Sequence, residues 1–363
     1  MRISLLTYST KPRGGVVHTL NLAEALAAEG ADVTVWSLAR GGDNAFFRAV
    51  DPAVALRLVP FVDRDGESVA DRIVRSIEVL GSNFDHAGAD IVHAQDCISA
   101  NAAGRCIRTI HHLEQFTTPV LAQCHDRAIV EPYAHICVSA AVAREVCEGW
   151  GLAPTVIANG VHAERFIAAS AEETEPRRLR AEWRRRLGTY ILAVGGIEPR
   201  KGSIDLLDAY SLVLRRYPET ALVFAGGETL FDYRDYRSAF DARLADLRIT
   251  PNILGPVADG DLPSLVAAST VFAFPSTKEG FGLAAMEALA ASRPVVARDL
   301  PVLREVFGDT VSYARTPPEL AAGICDALTP DPRRAHAGRR LATSFRWADA
   351  AKAHLDFYAR SGG

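Results

Sequence analysis

The sequence predicts an α/β protein built from two Rossmann-like, parallel-sheet domains. Three observations carry this expectation. With 363 residues the chain is long enough for two cores of ordinary size and too long for one simple core. Short apolar runs such as Tyr190-Ile191-Leu192-Ala193-Val194 and Val271-Phe272-Ala273-Phe274 recur between helical patterns, as strands buried on both faces of a parallel sheet do. Each half also opens on a strand, a glycine-bearing loop and a helix, the start of a right-handed crossover unit.

Composition excludes several function classes. An apolar content of 48% and a charged content of 23% are those of a soluble globular protein. A net charge of -4 gives no basic field with which to hold nucleic acid. The six cysteines, Cys97, Cys106, Cys124, Cys137, Cys147 and Cys325, show no Cys-x-x-Cys pairing, which suits reduced, mostly buried thiols better than a disulfide framework or a zinc site. No charged-then-apolar leader opens the chain, and no apolar run approaches the length needed to cross a bilayer. A cytoplasmic location is expected, with peripheral contact to a membrane surface left open.

Ile3-Ser4-Leu5-Leu6 reads as the first strand and Lys11-Pro12-Arg13-Gly14-Gly15 as the loop after it. Residues 16–29 carry Leu20, Ala23, Leu26 and Ala27 at helical spacing and stop at Gly30, which suits the left-handed position just past a helix end. A second strand over 33–38 ends Ser37-Leu38-Ala39-Arg40, with no acid to hold a ribose, and the loop before it lacks Gly-x-Gly-x-x-Gly. Both features argue against dinucleotide binding. Further strands are expected at 90–94, 120–124 and 136–139. His93, followed by Gln95 and Asp96, and His125, followed by Asp126, then fall at strand carboxyl ends; for His93 a structural role stands equally beside a functional one. His111 and His112 fall in a helical stretch as surface or packing residues, and adjacent residues share no helix face on which to hold a metal.

After Asn159-Gly160-Val161, residues 172–186 turn polar and arginine-rich, with Arg177, Arg178, Arg180, Arg184, Arg185 and Arg186. Leu179, Trp183 and Leu187 recur every four residues, so an amphipathic segment with a solvated basic face is expected; an anionic membrane surface or an acidic acceptor is the sharper alternative. The second half begins with the strand 190–194, then Gly195-Gly196-Ile197-Glu198-Pro199-Arg200-Lys201-Gly202 and a helix over 203–217. Leu222-Val223-Phe224-Ala225 and the turn Gly226-Gly227 follow, then Asn252-Ile253-Leu254-Gly255-Pro256-Val257 and a helix opened by Asp261. Residues 228–237, with Phe231, Tyr233 and Tyr236, read as a lid or insertion without an assigned role.

Residues 270–294 gather three signals. The strand 271–274 is closed by Pro275, Gly280-Phe281-Gly282 forms a loop that backbone or ligand can approach closely, and residues 283–291 are good helix formers that stop before Arg293-Pro294. Free N–H groups at such a helix start attract anions. Glu279 and Glu287 beside them make sense as acceptors for sugar hydroxyls, because an ionised carboxylate accepts hydrogen bonds and never donates.

Glu279-Gly280-Phe281-Gly282-Leu283 followed by Glu287 resembles the signature of the retaining glycosyltransferases of family four, the group-one transferases with the GT-B fold. The likeness covers nearly the whole chain and is strongest between Leu192 and Glu305. It implies two domains facing across a cleft: an acceptor-side domain over 1–170 with the C-terminal helix, 345–363, packed back on it, a linker over 171–187, and a nucleotide-sugar-binding domain over 188–344. By the same resemblance Glu287 binds the donor ribose, while Glu279 and the backbone of Gly280, Phe281, Gly282 and Leu283 face the transferred sugar and the diphosphate. Lys201 matches the family's phosphate-binding lysine. Gly14 and Gly15 let backbone approach donor phosphate or acceptor, the backbone around Val257 meets the base, and His125 faces the sugar and acceptor. Two positions depart from the family pattern. The arginine usual after the first glycine of the phosphate loop is Gly196, a loss that Arg200 is a candidate to offset, and the acid usual after Asn159-Gly160-Val161 is His162.

The activity this implies is transfer of a sugar from a nucleotide-diphosphate sugar to an acceptor hydroxyl, with retention, and with Glu279, His125 and Lys201 as the catalytic set. Cleavage of the donor places negative charge on the leaving oxygen, which something preorganised must face. Asp63-Arg64-Asp65 and Asp259-Gly260-Asp261 are candidate metal ligands, but aspartate in a loop or before a helix is ordinarily a turn or cap residue. A metal-free, cofactor-free clamp of Lys201, Arg200 and the N–H groups of Gly282 and Leu283 is therefore expected. Two other classes fit the same residues: a sugar-nucleotide epimerase or hydrolase, which needs no acceptor, and a non-catalytic sugar-nucleotide-binding protein, which needs Glu287 and Lys201 but neither Glu279 nor His125.

Overall fold

The computed structural model describes residues 1–114, 116, 118–227 and 233–361. It divides into two compact units, one made of Met1–Gly160 with Phe345–Gly363, the other of Val161–Ser344. Among the described residues no helix is long and apolar enough to cross a membrane.

In the first unit the chain forms β1 (Arg2–Thr7), α1 (Gly14–Ala28), β2 (Asp32–Arg40), β3 (Val54–Phe61), α2 (Val69–Asn83), β4 (Ile91–Ala94), α3 (Cys97–Ala103), β5 (Ile107–Ile110), α4 (Pro119–Val130), β6 (Ala134–Cys137), α5 (Ala140–Trp150) and β7 (Thr155–Val156). The strands pair in parallel in the order β3-β2-β1-β4-β5-β6-β7. That order reverses between β1 and β4, so the loops after these two strands flank the switch point where open α/β sheets bind ligands. Asp96, after β4, fastens the loop after β1 by accepting the Tyr8 N–H at 2.9 Å. The C-terminal helix, Trp347–Ser361, buries Trp347, Ala351, Phe357 and Tyr358 in a core shared with Leu20, Ala23 and Leu26 of α1.

Two expectations for this unit fail. Residues 120–124 are not a strand: Pro119 stands in the first turn of α4, where its missing N–H costs no hydrogen bond and its fixed φ favours the helix. The strand is β5, whose Ile107, Thr109 and Ile110 are β-branched and fully buried. His125 therefore lies inside α4 rather than at a strand end, its ring edge-on to Phe116 and Trp150 at centroid distances of 5.5 and 6.1 Å. Conversely, His111 and His112 are not helical and directly follow β5. His93 is sealed in β4 and bonds at both ring nitrogens, to Tyr358 and to Thr109, each at 2.7 Å, so its role is structural.

The second unit comprises α6 (Ala163–Ala169), α7 (Thr174–Leu187), β8 (Tyr190–Val194), α8 (Ser203–Val213), β9 (Ala221–Ala225), α9 (Arg234–Leu247), β10 (Asn252–Ile253), α10 (Leu262–Ala268), β11 (Val271–Phe274), α11 (Leu283–Ala290), β12 (Val295–Arg298), α12 (Pro301–Phe307), β13 (Ser312–Ala314), α13 (Pro317–Ala327) and α14 (Pro332–Ser344). Its parallel sheet runs β10-β9-β8-β11-β12-β13, with the reversal between β8 and β11. The arginine-rich stretch expected as a linker is mostly the helix α7, packed on α10 inside this unit: Trp183 donates its indole N–H to Ser264 at 2.9 Å. Of the insertion expected at 228–237, residues 228–232, Phe231 included, lie outside the described residues. Tyr236 sits in α9 and accepts the Ile204 N–H at 3.2 Å.

Gly160 marks the point where the first unit's continuous segment ends. A Cβ there would fall 2.5 Å from the Trp347 backbone nitrogen and ring, so the C-terminal helix seats against bare backbone. Gly160→Ala is expected to cost about 1–3 kcal/mol, the scale of overpacking, read as a lower urea midpoint. Gly149→Ala, in α5 where a Cβ meets nothing within 4 Å, should leave that midpoint unchanged or slightly raised.

Candidate active site

In the second unit the loops after β8 and β11, the two strands at the switch point, close on each other. Gly202 makes this possible: its φ is +63°, and a Cβ would lie 2.3 Å from the Pro275 carbonyl oxygen. The Thr277 N–H then donates to the Arg200 carbonyl at 2.8 Å. This closure brings Lys201 to Glu279, Nζ to Oε1 at 2.6 Å, with both side chains largely shielded from water. Arg200 reaches the same carboxylate oxygen with Nη1 at 3.3 Å and Glu198 with Nη2 at 3.3 Å. Arg200, the candidate to offset Gly196, thus lies in the same cluster as Lys201 and Glu279.

Glu279 leads directly into the start of α11. Gly282 caps that helix at φ +93°, where a Cβ would come within 2.7 Å of the Phe307 ring. The first bond of the helix runs from the Ala285 N–H to the Gly282 carbonyl at 3.0 Å, so the N–H groups of Leu283 and Ala284 precede it and are open to an anion. Gly280 is buried and Phe281 is 3% exposed, which makes Phe281 an anchor for the loop.

Glu287 follows about one turn into α11. Burial pushes its carboxyl up to about 7, against the pull of Arg165 and with Asp259 adding to the rise. Its backbone carbonyl accepts the Ala291 N–H at 3.1 Å, while among the described residues the carboxyl has no hydrogen-bond partner in the protein and can serve a ligand. Arg165, in α6, pairs with Asp259 at 2.7 Å and also donates to that residue's carbonyl at 2.8 Å. Asp259 is thereby committed to an arginine, and Asp261 stands at the start of α10. Among the described residues no three histidine, cysteine, aspartate or glutamate side chains gather as a metal-binding group. Val257 lies half-buried in the loop between β10 and α10. Arg165 had no sequence signal, because it meets Asp259 across 94 positions.

In the first unit, Gly14 and Gly15 are the first two residues of α1 rather than part of the loop before it. A Cβ at Gly14 would meet nothing within 4 Å, and one at Gly15 only the His111 ring at 3.8 Å. Packing does not require glycine at either position, and the space in front of Gly14 is open. His111 sits edge-on to His18, ring centroids 4.7 Å apart, and His18 Nδ1 donates to Asn159 Oδ1 at 2.9 Å. Burial holds both imidazoles well below their usual basicity, so both are neutral at neutral pH. Each keeps a buried Nε2 with no hydrogen-bond partner among the described residues. The histidine at a strand carboxyl end, beside the glycines, is His111 and not His125. The β-branched run just before it was the signal that would have found it.

Two family models match the chain. Residues 12–165 match that described as Glycosyltransferase Family 4, and residues 179–341 that described as Glycosyl transferases group 1. The chain is 29% identical over 355 residues to a phosphatidyl-myo-inositol mannosyltransferase of Mycobacterium tuberculosis, covering 90% of this chain and 86% of that protein. Its fold matches HepE of Anabaena, solved in complex with UDP and glucose, with a TM-score of 0.75 at 20% identity, covering 98% of this chain and 99% of that one. Sucrose-phosphate synthase of Thermosynechococcus elongatus matches with a TM-score of 0.78 at 19% identity, covering 99% and 98%. The fold is GT-B.

The raised carboxyl of Glu287 has a consequence for stability. In the unfolded chain this group ionises near its ordinary value of 4.5, whereas in the folded chain it stays protonated up to about 7. Its contribution is full below pH 4.5 and is lost as pH rises to 7. Glu287→Gln, which stays neutral, should therefore gain on the wild type across that window, by about 1–3 kcal/mol at pH 8. Urea unfolding at pH 5 and pH 8 measures the difference.

Proposed function

The chain belongs to the group 1 glycosyltransferases of family 4 and is therefore a glycosyltransferase, and we propose that it moves a hexose from a nucleoside diphosphate sugar to an acceptor hydroxyl with retention and without a metal ion. The observation that carries this reading is the meeting of Lys201 and Arg200 at Glu279, in the loop that leads into the first turn of α11. HepE, whose structure holds UDP and glucose, supports the donor class.

In this reading the diphosphate lies against Lys201, Arg200 and the N–H groups of Leu283 and Ala284. Glu287 accepts hydrogen bonds from the ribose hydroxyls, and the backbone near Val257 meets the base. Glu279, held in place by Lys201, orients the transferred sugar. The bond between the anomeric carbon and the β-phosphate oxygen breaks, and electrons flow onto that oxygen, which the cations and N–H dipoles stabilise. The acceptor oxygen attacks from the same face, and its proton passes to the departing phosphate oxygen.

On the acceptor side the role expected of His125 fits His111 better. A neutral imidazole with a free Nε2, next to the open start of α1, suits a hydroxyl acceptor, while His18, fixed by Asn159, holds that ring.

Calorimetry against UDP, GDP and ADP identifies the base, and mass spectrometry of products from the matching sugar nucleotides identifies the reaction. Donor consumed at full rate without any acceptor would turn the assignment to a hydrolase or epimerase. Lys201→Ala should weaken nucleoside diphosphate binding by about 1.5–3 kcal/mol, the scale of a charged hydrogen bond; unchanged affinity for every nucleotide would show that the phosphates lie elsewhere. His111→Asn should slow transfer on the order of 100-fold while leaving nucleotide affinity unchanged, whereas His125→Asn should leave transfer nearly intact in single-turnover assays.

A further inference from the structure

The arginines of α7 divide into two sets. Arg178 faces outward, paired with Glu175 and Glu182 on its own helix. Arg177, Arg180 and Arg184, spaced three and four residues apart on one face, instead line a cavity of about 440 Å³ together with Arg293, Glu172 and Ser170. We propose that this cavity is a binding site for a phosphate or diphosphate group, separate from the donor site.

The charge balance points to such a ligand. Four guanidinium groups line the cavity and face one carboxylate, that of Glu172, itself 77% exposed. Arg180 is 6% exposed and is used structurally: Nη1 donates to the carbonyls of Ala169 and Ala171 at 2.7 and 2.6 Å, and Nη2 to Glu172 at 3.0 Å. Arg293 donates Nε to the Ala291 carbonyl at 3.1 Å and Nη1 to the Ser269 carbonyl at 3.3 Å, which leaves Nη2. Arg184 spends only Nε, on the Ala268 carbonyl at 3.2 Å, which leaves both terminal nitrogens. Burial lowers Arg293 to about 10, and Arg184, Arg180 and Arg339 push it the same way, so the cluster repels itself as it stands. A ligand with two or more negative charges relieves that repulsion and takes up the unused donors in the forked geometry that arginine offers to phosphate. None of the lining residues is among those assigned above to the donor, so the two ligands do not compete for the same groups.

The test is calorimetric titration of the full chain with inorganic pyrophosphate, the donor site being saturated with the nucleoside diphosphate that binds it best. The variant is Arg177→Gln with Arg184→Gln, which keeps Arg180 and Arg293, each bonded to two backbone carbonyls, and gives up one such bond, from Arg184 to Ala268. One saturable pyrophosphate site in the wild type, weakened at least tenfold in the variant with nucleotide affinity unchanged, supports the proposal and identifies a soluble phosphate source. Co-sedimentation with phosphatidic acid vesicles but not phosphatidylcholine vesicles, abolished by pyrophosphate and by the variant, supports it with a lipid headgroup as the source. No saturable binding of either probe, or equal binding by the variant, overturns it.

Discussion

The loop cluster of the second unit hangs on the contact between Lys201 and Glu279 at 2.6 Å. A shielded ammonium without a partner would be costly, and its partner arrives from a loop 78 positions away. The two residues meet because the second sheet reverses its strand order between β8 and β11, and because Gly202 lets the loops after those strands touch. Arg200 joins the same carboxylate, so the cationic groups are in place before any substrate arrives. In the proposed reaction such preorganisation would serve electrostatic catalysis, since no reorientation is needed as charge develops on the leaving group.

The first unit handles buried polar groups by a different rule. Three of its buried histidines are kept neutral by burial and fixed by short hydrogen bonds: His18 by Asn159, His93 by Tyr358 and Thr109, and His354, lowered to about 4, by the Ala350 carbonyl. These rings fill space between α1, the sheet and the C-terminal helix while adding no buried charge. His111 shares that neutral environment and lies against the first turn of α1, its ring 3.8 Å from where a Cβ on Gly15 would sit.

Much of this was legible in the sequence. The strands at 190–194 and 271–274 end where their apolar runs end, and the helix after Gly282 begins where the glycines stop, because burial on both faces and the loss of Cβ leave marks within a few residues. Residues 120–124 read as a strand because a short apolar run looks alike in a strand and in a buried helix; the mark that separates the two is Pro119 at the helix start. That one error moved the strand-end histidine from 111 to 125. The pairing of Arg165 with Asp259 beside Glu287 was not readable at all, since nothing local in either segment marks a contact made by the packing of α6 and α10 against α11. The arginines of α7 were visible as composition, but only the helix phase shows which of them face a cavity.

The second unit is one unbroken stretch of chain, whereas the first is interrupted by it and finished by the last residues. On the ribosome this reverses the usual sequence of maturation: the second unit is whole while the first still lacks its closing helix. Until Tyr358 emerges, His93 has no partner for Nδ1, and the apolar face of α1 stays uncovered. Loss of the helix Trp347–Ser361 would therefore uncover the core of the domain encoded first, not of the one beside it in sequence.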